Sequence, residues 1–69
     1  MTTQEVYALS PEKLLHLLIA NRWSQERIAL EVETTQATIS RIWSGKHKHP
    51  RHSTVDRLRQ LVLRLEEFS

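Results

Sequence analysis

Arg41, Lys46, Lys48 and Arg51 lie in a stretch, residues 35–54, that contains no Asp or Glu, and His47, His49 and His52 are interleaved with them. The acids stand to either side: Glu5, Glu12, Glu26, Glu31 and Glu33 before it, Asp56, Glu66 and Glu67 after it. A net charge of only +2 is thereby concentrated on one part of the chain. Such asymmetry is the electrostatic footprint expected for a polyanion partner. A solvated basic loop has the same composition, so charge alone leaves both readings open. The three histidines invite a metal test. Zinc needs neutral imidazoles in tetrahedral reach with an ordered second shell. The neighbouring cations and the absence of Cys argue against it, so no metal is expected, and the imidazoles read as phosphate-side donors or solvated groups. The acids form no concentrated pair, and a chain this short has no room for a deep pocket. We therefore expect no catalytic site, no cofactor and no small-molecule ligand.

Just before the basic run stand Gln36, Ala37, Thr38, Ser40 and Arg41. A plain solvated helix face would more often carry Glu and Lys. Gln suits the edge of adenine, Arg that of guanine, and Thr or Ala the methyl of thymine. These side chains read DNA only if a helix carries them outward, so the elements that hold them decide the matter.

Ser10-Pro11-Glu12 has the composition of a helix start: a capping hydroxyl, a proline at the first helical position and an acid at the positive end. Leu14, Leu15, Leu18 and Ile19 follow at helical spacing, with Leu17 widening the stripe, and the helix should end near Asn21 or Arg22. Ser24 caps a second, short helix whose inward side is Ile28, Ala29 and Val32. Thr34-Thr35 supplies a turn and a cap for a third helix from about Gln36 to Trp43, with Ile39 and Ile42 inward. Ser44-Gly45 ends it. Ser53 or Thr54 begins the last helix, on which Val55, Leu58, Leu61, Val62, Leu65 and Phe68 step by threes and fours. Residues 1–9 read as an extended arm, with Tyr7 clamping it. No strand is expected. Trp23 reads as core beneath the first helix, Trp43 as partly buried, and His16 as a surface residue.

Two short helices joined by a tight turn form a DNA-reading unit. Ala29 is small enough for a close helix crossing, and Val32, Ile39 and Ile42 lock it from both sides. The second helix can then expose its N-terminal half to the major groove.

Residues 24–32, SQERIALEV, followed by residues 34–42, TTQATISRI, resemble the helix-turn-helix of the lambdoid phage Cro and repressor family. Residues 44–51, SGKHKHPR, resemble that family's loop after the recognition helix. The likeness extends over residues 11–65, and caps, core positions and basic loop agree with one another. The resemblance implies that Gln36, Ala37, Thr38 and Arg41 meet bases. It implies that Gln25, Thr35, Lys46, Lys48 and Arg51 meet phosphates. Two departures stand out. The family usually has Gly in the turn where this chain has Glu33, which places a side chain where positive φ is expected. Many members also have five helices, whereas the sequence after Arg51 has room for one.

The expectation is therefore an all-α, lambda-repressor-like bundle of four helices, or five, with an arm at residues 1–9 and a DNA-binding domain at residues 10–69. Its function is that of a homodimeric repressor on a palindromic operator, of phage or bacterial origin. Leu63, Leu65 and Phe68 are the candidate subunit contacts. An antitoxin-like autorepressor and a protein-binding helical module are the alternatives; tight protein capture without DNA binding at low salt would favour the latter. No apolar run reaches the eighteen or so residues of a membrane span, and residues 1–7 do not read as a signal peptide. A cytoplasmic protein is expected, with no membrane partner.

Overall fold

The structure is a computed structural model that describes residues 2–67, and only the backbone of 66 and 67. The described chain is all helical: α1 (Thr3–Ala8), α2 (Pro11–Ala20), α3 (Gln25–Glu31), α4 (Gln36–Trp43) and α5 (His52–Glu67). Among the described residues there is no strand and no helix long and apolar enough to cross a membrane.

Each of the first four helices starts on a hydroxyl. Thr2, Ser10, Ser24 and Thr35 accept hydrogen bonds from the backbone N–H groups of Glu5, Lys13, Arg27 and Thr38, satisfying one otherwise unpaired donor per helix. The helix ends are equally uniform. After α2, α3 and α4 the chain turns into the left-handed region, at Arg22 (φ 70°), Glu33 (φ 56°) and Gly45 (φ 79°). In each case two backbone bonds close the end: Trp23 to Leu18 and Arg22 to Ile19, Thr34 to Ala29 and Glu33 to Leu30, Lys46 to Arg41 and Gly45 to Ile42. This is the paired closure that glycine usually serves. Here only the last of the three has it, so Arg22 and Glu33 hold a conformation that L-residues disfavour.

The core is built from the apolar stripes the sequence displays. Leu14, Leu15 and Leu18 of α2, Ile28 of α3, Ile39 of α4 and Leu58 of α5 are fully buried, with Ala29, Val32, Ile42, Val55, Leu61 and Val62 almost so. Each large aliphatic side chain taken from water contributes about 1.5–3 kcal/mol before entropy is set against it. α2 lies between α4 and α5, α3 packs on α4, and α1 packs on α5.

The first residues depart from expectation. They form a helix rather than an extended arm. A capping box between Thr2 and Glu5 starts α1, Val6 is fully buried in the common core, and the Arg59 guanidinium lies 4.6 Å from the centre of the Tyr7 ring. A six-residue helix is unstable alone; burial of Val6 and the Tyr7–Arg59 contact tie it to α5. The described chain thus has five helices, the additional one being α1 at residues expected to be extended. The start of α5 also differs, since Ser53 and Thr54 lie inside the helix and the Arg51 carbonyl accepts from Val55 N–H. Trp23 is half-buried at the edge of the core instead of within it, with Arg27 over its ring at 4.2 Å.

Candidate nucleic-acid interface

α3 and α4 are joined by Val32, Glu33, Thr34 and Thr35. Ala29 is nearly fully buried where α3 packs on α4, which lets the backbones approach. Val32 at the end of α3 and Ile39 and Ile42 of α4 are buried with it and close the same seam from both sides. With its inward side occupied by Ile39 and Ile42, α4 must turn residues 36, 37, 40, 41 and 44 the other way. Gln36, Ala37, Ser40, Arg41 and Ser44 are all exposed. The centre of this face carries small side chains, Ala37, Ser40 and Ser44, and its margins carry the long ones, Gln36 and Arg41.

Thr38 stands apart from that face. It is half-buried, and its hydroxyl lies 2.9 Å from that of Thr35, whose oxygen also accepts from Thr38 N–H at 3.1 Å. The two threonines form the cap that starts α4. Ser40, by contrast, shares the exposed face. The 3.6-residue period carries that signal in the sequence, once the inward positions are known.

Gln25 is the first residue of α3 and is half-buried. Beyond α4, Lys46, Lys48 and Arg51 are exposed. Gly45 turns the chain there, and the Lys46 and His47 N–H groups both donate to the Arg41 carbonyl, so the basic run begins directly on the end of α4. Ser44 Oγ donates to the same carbonyl at 3.2 Å.

Two acids come close to this run, Glu12 from the distant α2 and Asp56 from one turn further along α5. A Cβ placed on Gly45 would lie 3.5 Å from a Glu12 carboxylate oxygen, and Asp56 Oδ2 is 3.6 Å from His52 Nε2. Glu12, His47 and Lys48 also share the lining of a cleft of about 250 Å³ with Gly45 and Ile42. Among the described residues no three His, Asp or Glu side chains are grouped so as to hold a metal ion.

Of the candidate subunit contacts, Leu63 and Leu65 are half-buried against the core. Leu65 also lines a cleft of about 540 Å³ with Trp23 and Leu61. Phe68 lies outside the described residues.

A protein of Acyrthosiphon pisum secondary endosymbiont phage 1, designated P2, is 40% identical to the chain over 60 residues. The match covers 87% of this chain and 64% of the phage protein, so the chain spans less than two thirds of that relative's length. No family model matches the chain, and no solved structure matches it significantly.

Proposed function

We propose that this chain binds double-stranded DNA in a sequence-specific way through α3 and α4, as a transcriptional regulator of the Cro and repressor type. The observation that carries the reading is the exposed side of α4. It is free of acids, small at its centre, flanked by Gln36 and Arg41, and runs straight into exposed Lys46, Lys48 and Arg51. The major groove of B-DNA admits a helix and presents a distinct donor and acceptor pattern for each base pair. Small central side chains let the helix backbone sit deep, while Gln36 and Arg41 reach adenine and guanine edges. Thr35 and Gln25, at the N-terminal ends of α4 and α3, lie where backbone amides and the helix dipole favour a phosphate.

One such helix reads only a few base pairs, too little to pick one site from a genome. Two copies on a two-fold axis double the reading and match an inverted repeat. The proposal therefore includes a homodimer that represses by occupying its operator in the cytoplasm, with Leu63, Leu65 and Phe68 at the contact. No catalytic step and no cofactor belong to it. Selection of bound duplexes from a random library tests the reading. Recovery of an inverted repeat with half-site centres about 34 Å apart supports it, and failure to enrich any sequence contradicts it.

A further inference from the structure

Trp43, the last residue of α4, is covered by a side chain from a different helix. The His16 imidazole of α2 stacks on it, with ring centroids 4.1 Å apart and planes inclined by 24°. Glu12, one turn earlier on α2, reaches His16, with Oε1 3.9 Å from Nε2. The same carboxylate lies over Gly45, the residue that turns the chain out of α4. Glu12 and His16 thus straddle the end of α4 and the start of the basic run.

Histidine is the side chain whose charge ordinarily changes between pH 5 and 8. A proton on His16 would meet three favourable partners. The indole face attracts a cation. The Glu12 carboxylate attracts it, weakly because both groups are half exposed. The C-terminal end of α4 is the negative end of that helix's dipole. Against these stand Lys13, which shares a shallow apolar depression with His16, and His47 and Lys48, which lie across the cleft from Glu12.

We propose that His16 is a proton-operated clasp, which on protonation tightens α2 against Trp43 and steadies the chain where it leaves α4. The neutral ring keeps the stack but loses the cation's share of all three contacts. Any consequence for DNA rests on the function proposed above: the clasp would make binding tighten as the pH falls from 8 to 5, by more than the added loop charge alone provides.

The clasp is tested without DNA. In a Trp23→Phe chain Trp43 is the sole indole, and protonated imidazole quenches an indole it stacks on. Emission should fall between pH 8 and pH 5, and the fall should vanish in the same chain with His16→Gln. In the otherwise unaltered chain, the indole N–H resonance of Trp43 should follow the same titration and stop doing so in His16→Gln, which covers the case that Trp23→Phe fails to fold. Exchange protection of the Gly45 and Lys46 amides, corrected for intrinsic rates, should be about two- to fivefold greater at pH 5 than at pH 8, and not in His16→Gln. An unchanged pH response of Trp43 in His16→Gln would overturn the clasp. Loss of DNA binding at every pH, with the Trp43 titration intact, would overturn the proposed function and leave the clasp standing.

Discussion

Arg57 of α5 forms an ion pair with Glu33, the residue in the left-handed region between α3 and α4. The same guanidinium donates to the Val32 carbonyl at 3.4 Å. The turn is therefore held from outside by α5, and a residue with an unfavourable φ gains a partner that glycine could not offer. This accounts for an acid where the resembled family usually has Gly.

Two opposed effects follow for Glu33→Gly. Relief of the positive φ, about 1–2 kcal/mol, less about 0.4–1 kcal/mol for the freedom glycine gives the unfolded chain, leaves a net stabilisation of up to about 1 kcal/mol. Loss of an exposed ion pair costs about 0.2–1 kcal/mol. In the unaltered chain they nearly cancel. In an Arg57→Ala background, where no pair exists to lose, Glu33→Gly should stabilise by the full first amount. Urea melts of the four proteins form the cycle. Equal effects in both backgrounds would mean that the ion pair contributes nothing.

Thr35→Ala removes the cap of α4 and the partner of the Thr38 hydroxyl. It should cost about 1 kcal/mol of stability, and Thr35→Ser should cost much less. If both substitutions are equally harmful, the methyl group matters more than the cap.

Val6→Ala should destabilise by about 1–3 kcal/mol, since a fully buried side chain loses two methyl groups. A thermal melt decides between this and a loosely attached arm, for which no change is expected.

Much of this architecture is legible in the sequence because its signals are local. Ser10-Pro11, Ser24 and Thr35 mark starts by their hydroxyls, Gly45 marks an end, and the leucines and isoleucines of α2 and α4 repeat at helical spacing. The α1 helix offers no such stripe, because Val6 is its one buried residue. Its signal is the Thr2-Thr3-Gln4-Glu5 capping box, which is easily overlooked without an apolar run behind it. Contacts between distant residues leave no periodic trace. Nothing in the chain order pairs His16 with Trp43, Arg57 with Glu33, or Glu12 with Gly45. The candidate interface was readable to the same degree. The outward positions of α4 follow from its period, but the withdrawal of Thr38 into the cap with Thr35 depends on side-chain geometry.

Within the proposed interface, loop and helix should fail differently. Lys46→Ala, Lys48→Ala and Arg51→Ala should each weaken binding to all duplexes alike and lower the salt slope by about one unit. Gln36→Ala and Arg41→Ala should cost about 1–3 kcal/mol on the preferred sequence and little on others. Thr38→Val, which replaces the hydroxyl with a methyl group, should leave sequence preference unchanged. Affinities measured on matched and scrambled duplexes at several salt concentrations separate the classes. A salt slope unchanged by all three loop substitutions would remove those residues from the phosphate contacts.

The central claim is that the exposed side of α4 meets DNA. Its most direct test is a titration of isotope-labelled protein with a mixed-sequence duplex at low salt, followed by amide NMR. The account predicts binding at micromolar to roughly 100 µM duplex that weakens steeply as salt is added. It also predicts shifts confined to Gln36, Ala37, Ser40, Arg41 and the run from Lys46 to Arg51, with the N-terminal ends of α3 and α4. Absence of any shift at that concentration, or shifts that map to α1 and α5 instead, would contradict it.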